Sequence, residues 1–462
     1  MPGTCARVFA LAVVFTAAVA GASEPPDRID ALVREEMDRQ KIPGLAVAVI
    51  QGGQPLKLRG YGLANVEHQV PVKPETIFQS GSVGKQFTAA AVMSLVESGA
   101  LSLDDSIRKF FPEAPRSWQN VTVRHLLTHT SGVVNYTAGT IDYRRDYTEG
   151  ELVKAAYRLG LEFPPGSRWS YSNTGDLVLG ALVRKVSGKF YGDLLAERVF
   201  GPLGMATARV ISESDIVPNR AAGYRLLEGK LANQEWVAPM LNTTADGSLY
   251  LSLLDMVAWD KGLREGRVLK PESWAMVYTP ARLTSGNPYP YGFGWRVRPV
   301  AGQTVHEHGG SWQGFRTTIS RYLGSDLTVI VLANLAEAEP EKIGHKVAAL
   351  VDPNLEEREP RPLGRTDAAA EARLRTLLQQ AAAGTWRPKE FVFWSSVPAQ
   401  GRHYRKLIGP LGALTRLELL QEETLGDDRV TTWDAAFGEK VLRVTLALAP
   451  DGRVARFDAE PR

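Results

Sequence analysis

The chain has 462 residues, enough for two or three domains, and its 44% hydrophobic and 23% charged content is that of a globular protein. Its 54 lysines and arginines nearly balance 51 acids, for a formal net charge of +3. With no basic stripe or base-stacking motif, nucleic-acid and anionic-membrane partners are excluded.

Arg7 precedes an apolar run, Val8 to Ala20, closed by the small residues Ala20-Gly21-Ala22. That run is about 13 residues, shorter than the ~20 needed to cross a bilayer, and has the form of a signal peptide. Residues 1–22 are therefore expected to direct export, leaving a periplasmic or secreted chain with no stable membrane span. The only cysteine, Cys5, falls inside that segment, so the exported chain relies on its core rather than on disulfides.

Residues 26–40 carry Ile29, Leu32, Val33 and Met37 at helical spacing. Leu45 to Ile50 and Leu56 to Gly62, joined by Gln51-Gly52-Gly53-Gln54-Pro55, read as a β-hairpin. Val83 to Ser98 is an alanine-rich helix closed by Gly99. Residues 104–270 look mostly helical. Strand candidates follow at Gly294 to Pro299, Gln303 to His308, Phe315 to Tyr322 and Leu327 to Asn334, then a helix near Glu341 to Val351. The expected fold is α+β: an antiparallel sheet flanked by helices with a large helical insert, over residues 23–351. The proline- and charge-rich residues 352–367 read as a linker. Residues 368–462, a helix and four strand-like runs, read as a small C-terminal α+β domain without a chemical motif.

Ser82-Val83-Gly84-Lys85 places a serine one helical turn before a lysine, on the same face. A serine hydroxyl needs a neighbour to take its proton, and a lysine at this spacing is a candidate. A second match, Ser106-Ile107-Arg108-Lys109, reads as surface. Tyr171-Ser172-Asn173 follows the turn-rich Phe163-Pro164-Pro165-Gly166-Ser167 and offers a phenol for proton relay and an amide for a substrate carbonyl. His308-Gly309-Gly310 is expected to end a strand, where glycines admit a ligand to the backbone. The N–H of Ser311 is then available to pair with that of Ser82 as an oxyanion hole.

These three motifs occur in the order and spacing of the serine beta-lactamase-like hydrolases, a group with class C beta-lactamases, D-Ala-D-Ala carboxypeptidases, esterases and D-aminopeptidases. Arg124-His125-Leu126-Leu127-Thr128-His129-Thr130-Ser131-Gly132 and Tyr291-Gly292-Phe293-Gly294-Trp295 resemble the group's intervening stretches. The resemblance covers about residues 27–350. It implies Ser82 as acylated nucleophile, Lys85 and Tyr171 as the proton-transfer pair, and Asn173, His308, Gly309, Gly310 and Ser311 as the substrate-binding and oxyanion set. Tyrosine opens the second motif, as in the class C branch. The third motif departs from the class C Lys-Thr-Gly. A histidine is only partly charged near neutral pH, which shifts the expected substrate from penicillins to esters, amides or D-amino-acid peptides.

The pairs His306/His308 and His125/His129 lack a partner at a recognised metal spacing, so no metal and no cofactor are expected. Serine at position 80 breaks a Gly-x-Ser-x-Gly elbow and argues against an α/β-hydrolase. The sequence thus predicts an exported serine hydrolase acting on a small-molecule or peptide substrate, and leaves the oligomeric state open. The alternatives are a weak beta-lactamase or D-Ala-D-Ala carboxypeptidase, and a catalytically silent ligand-binding protein of the same fold.

Overall fold

The computed structural model describes residues 27–138, 141–365 and 367–462; residues 1–22, read as a signal peptide, lie outside them. Among the described residues no helix is long and apolar enough to cross a membrane.

A seven-stranded antiparallel sheet runs in the order Arg296–Val300, Gln303–Trp312, Phe315–Tyr322, Leu327–Ala333, Gly44–Gln51, Gln54–Asn65, Val70–Pro71. The N-terminal hairpin thus joins strands that come some 280 residues later, with Val47 opposite Val331 and Ala48 opposite Ile330. The run Leu45 to Ile50 is buried on both faces, and its period of two sorts the residues. Leu45, Val47 and Val49 pack with Val33 and Met37 of the Arg28–Gln40 helix and with Ile343 and Val347 of the Pro340–Val351 helix. Ala46, Ala48 and Ile50 face the other way, toward Val83, Phe87 and the alanines of the Lys85–Glu97 helix. Alanine on both surfaces lets that helix lie close to the sheet. The helix is buried on nearly every side from Lys85 to Leu95, the pattern of a core helix.

Residues 104–270 are less uniformly helical than expected. They contain the strand Leu249–Ser252, which pairs with Ile77–Gln79 and Arg209–Val210, and a small hairpin of Tyr224–Leu227 with Lys230–Asn233. Beyond residue 352, two helices, Ala368–Ala383 and Val397–Ile408, pack on a four-stranded antiparallel sheet, Arg416–Leu425, Asp428–Phe437, Lys440–Leu448 and Val454–Pro461. This part has its own core, including Leu374, Leu377, Trp433, Val444 and Phe457. The second of its helices was not anticipated.

A charge cluster around the buried Glu307 ties the Pro340–Val351 helix to the sheet. His345 Nε2 lies 3.2 Å from Glu307 and Nδ1 lies 3.6 Å from Glu357. Arg298 holds the other Glu307 oxygen at 2.6 Å. Burial disfavours the imidazolium, but the two glutamates outweigh it and raise the His345 pKa to about 9. A histidine with a raised folded pKa stabilises fully below its unfolded value of about 6.5, and that contribution disappears as pH rises through about 9. His345→Gln is accordingly expected to cost about 2–3 kcal/mol at pH 6 and little at pH 10, measured by denaturant unfolding at both pH values. Equal losses at the two pH values would contradict a charged His345.

Candidate active site

Ser82 sits in a single 3₁₀ turn, Gly81–Gly84, that leads into the Lys85–Glu97 helix. Gly81 has φ +50°, and a Cβ on it would overlap the backbone nitrogen of Ser311. A Cβ on Gly310 would overlap the Ser80 carbonyl, which also accepts a 2.6 Å hydrogen bond from Thr317 Oγ1. The backbones around Ser82 and Ser311 therefore lie side by side because Gly81 and Gly310 carry no side chain.

Lys85 is almost completely buried, with 1% of its surface exposed. Its ammonium donates to Asn173 Oδ1 at 2.7 Å, to Ser82 Oγ at 3.4 Å and, through a short bond, to the Asp246 carbonyl. Asp176 Oδ2 lies 3.7 Å away. An ammonium has three N–H groups, and three acceptors surround it. Burial works against its charge, but Tyr171, Asp176 and Asp246 outweigh burial and hold its pKa above the ordinary lysine value. Asp246 is fixed in turn by Tyr136, whose hydroxyl donates to Asp246 Oδ2 at 2.6 Å. Burial raises the Asp176 pKa to about 7, against the pull of Lys85.

Asn173 is the first residue of the Asn173–Ser187 helix. Its oxygen is committed to Lys85, so its amide N–H groups remain for another acceptor. Tyr171, two residues earlier, packs its ring 5.0 Å from the Lys85 ammonium. Burial raises its pKa and Lys85 opposes that rise. Its hydroxyl is buried and faces Ser82 and Lys85, whose hydrogen bonds also pull its pKa down.

A chain of hydrogen bonds lies behind the Tyr171 ring. The Ser172 N–H donates to His129 Nδ1 at 3.4 Å, so His129 carries its proton on Nε2 and donates to the Tyr291 hydroxyl at 3.1 Å. Tyr291 then donates to His308 Nε2 at 2.9 Å, and His308 Nδ1–H donates to the Gly309 carbonyl at 2.6 Å. Every direction is consistent only if both histidines are neutral. Burial supports this, pushing His308 to about 3 and His129 well below its ordinary value. His129 also packs against Tyr171, with ring centroids 4.4 Å apart.

The third motif differs from expectation in three ways. Its strand does not end at Gly310 but runs to Trp312 and turns at Gln313-Gly314. His308 is buried and neutral rather than partly charged. Gly309 faces away from Ser82, where a Cβ would meet the end of the Glu341 side chain, so it takes no direct part in the cleft. The remaining expected residues, Ser82, Lys85, Tyr171, Asn173, His308, Gly310 and Ser311, converge. His129, Asp176, Asp246 and Tyr136 belong to the same cluster, and sequence reading gave them no role there. The other Ser-x-x-Lys is occupied elsewhere: Ser106 donates to the Gln119 carbonyl at 2.9 Å and caps Arg108, while Lys109 pairs with Asp105 at 2.8 Å.

A family model described as Beta-lactamase matches residues 29–352, about the span that holds this site. The chain belongs to the beta-lactamase family. Among relatives, it is 30% identical to penicillin-binding protein 4* of Bacillus subtilis over 309 residues, 63% of this chain and 68% of that protein. It is 29% identical to a D-aminopeptidase of Gluconobacter oxydans over 317 residues, 66% of this chain but only 58% of that enzyme. The structure of an octameric penicillin-binding protein homologue from Pyrococcus abyssi superposes with a TM-score of 0.63 at 25% identity, covering 94% of this chain and 95% of that one. Residues 353–462 lie beyond the beta-lactamase family model but within the reach of that last likeness.

Proposed function

We propose that this beta-lactamase family member is an exported serine hydrolase that forms an acyl-enzyme at Ser82 and acts on an ester, amide or D-amino-acid peptide. The observation that carries the proposal is the Lys85 ammonium, held by Asn173 and the Asp246 carbonyl with its third N–H on Ser82 Oγ. An ammonium that donates to Ser82 does not take its proton, so Tyr171 is the relay: burial keeps it a phenol, and its oxygen accepts the Ser82 proton only as its own proton moves on toward the leaving group. Ser82 Oγ then bonds to the substrate carbonyl carbon. The oxyanion receives the N–H groups of Ser82 and Ser311, each such donor being worth about 3–4 kcal/mol of barrier. The alcohol or amine departs with the Tyr171 proton while Tyr171 keeps the one from Ser82, and a water molecule releases the acyl group by the reverse relay. Asn173 holds the substrate carbonyl by its free amide. Neutral His308 brings no cation to the place where the class C motif has lysine, which disfavours substrates anchored there by a carboxylate. Export rests on residues 1–22.

A fluorophosphonate probe tests the nucleophile. The wild type is expected to take one adduct, which peptide mass spectrometry places on Ser82. Ser106→Ala should label normally and Ser82→Ala not at all. Full labelling of Ser82→Ala overturns the assignment.

A further inference from the structure

A cavity of about 450 Å³ opens beside Tyr171, between the loop that carries it and residues from beyond position 390. This volume lies within the range of small-molecule pockets. One wall is the indole of Trp169, stacked on Tyr289 at 4.4 Å and 11°. The opposite wall comes from the C-terminal part: Phe393, Ala399, Leu425 and Val430.

The two parts are held together around this loop at several points. Ser395 donates to Glu162 through its hydroxyl at 2.6 Å and its N–H at 3.2 Å. Arg168 pairs with Asp428 at 2.6 Å in a largely buried ion pair. Phe163 packs edge-on against Phe393 with centroids 5.8 Å apart, and Asn287 donates to Asp427 at 2.6 Å. Thus the C-terminal part grips residues 162–168, the segment that delivers Tyr171, and at the same time encloses the space next to it.

The charges of the lining are largely spent. Arg168 neutralises Asp428, and Arg456 pairs with Asp458. Glu162 accepts only from Ser395 and has no cation at ion-pair distance among the described residues. What remains is a slot walled mainly by aromatic and aliphatic side chains, with the uncharged polar groups of Asn135, Thr137, Ser170 and Gln400 among them and one carboxylate, Glu162, without a cation. Such a slot gains from burying an apolar group and repels an anion.

We propose that the C-terminal part completes a substrate subsite beside Tyr171 that takes an uncharged apolar or aromatic substituent and rejects an anionic one. The proposal rests on the hydrolase reading for its place in catalysis, but the binding it asserts is independent of turnover. It assigns residues 393–400 a role in specificity that lies outside the span of the family model.

The full chain carrying Ser82→Ala is titrated calorimetrically with phenylacetamide, acetamide and phenylacetate. Phenylacetamide is expected to bind at least about tenfold more tightly than either of the others, since burying a ring adds apolar area that acetamide lacks. Adding Ala399→Trp, an exposed helix position at the cavity edge, should fill the slot and abolish that preference. In the otherwise wild-type chain, rates are compared for ethyl acetate, ethyl phenylacetate and benzyl acetate. Ala399→Trp should lower the preference for a phenyl group about tenfold in one of the two phenyl series and leave ethyl acetate, which has no ring on either side, unchanged. Phenylacetamide binding no better than acetamide, or an equal loss on all esters, overturns the subsite. Selective binding in a chain that fluorophosphonate does not label would sink the hydrolase reading and leave the subsite standing.

Discussion

Lys85→Arg is expected to lower kcat/KM for a short activated ester by about 10²–10⁴ while the protein stays folded, the range found when a positioned proton-transfer system is broken. The substitution preserves the positive charge, so a loss cannot be laid to missing electrostatics alone. Lys85 serves three acceptors from one tetrahedral nitrogen: Ser82, Asn173 and the Asp246 carbonyl. A planar guanidinium on a longer stem does not reproduce that arrangement. With only 1% of Lys85 exposed, the extra atoms must also displace Asn173 or the Asp246 loop. The rate of fluorophosphonate labelling at Ser82 should fall in parallel, because attack on phosphorus needs the same hydroxyl activation. Turnover within about tenfold of wild type, with melting behaviour unchanged, would remove Lys85 from the centre of the site.

Much of this arrangement is legible in the chain because its parts are local. Ser82 and Lys85 are one turn apart, Tyr171 and Asn173 bracket a helix start, and the sheet strands announce themselves as short apolar runs. The hidden parts depend on pairings between distant segments. Nothing near Asp246 indicates that its carbonyl will meet Lys85, or that Tyr136 will hold its carboxylate. The order Ser172, His129, Tyr291, His308 becomes a directed hydrogen-bond chain only when four separate segments meet. The glycines of the third motif read as a strand end, yet pairing of Gly310 with Thr317 and of Ser311 with Arg316 carries the strand onward. Leu249–Ser252 and its partners are too short, at two to four residues, for periodicity to show. The helix Val397–Ile408 was masked by Pro398 and Gly401, although proline is well tolerated in a first turn.

Tyr171→Phe is expected to reduce kcat/KM by about 10²–10⁴ with little change in stability. The ring is held by packing, 4.4 Å from His129 and 6.1 Å from His308, and these contacts survive loss of the hydroxyl. The hydroxyl itself meets Ser82 and Lys85, so its removal withdraws the proton carrier and leaves the ring packing in place. Tyr291→Phe supplies the opposite case. Its hydroxyl joins His129 Nε2 to His308 Nε2, and deleting it strands two buried ring nitrogens at a cost of roughly 1–3 kcal/mol each. That variant should lose stability first and turnover only modestly. Because burial pushes His308 to about 3 and His129 well below its ordinary value, neither should place a limb on the kcat/KM profile near pH 6.5. Steady-state kinetics and denaturant unfolding on the two variants separate the roles. If Tyr171→Phe keeps its turnover, the proton of Ser82 leaves by another route and the charged reading of Lys85 fails with it.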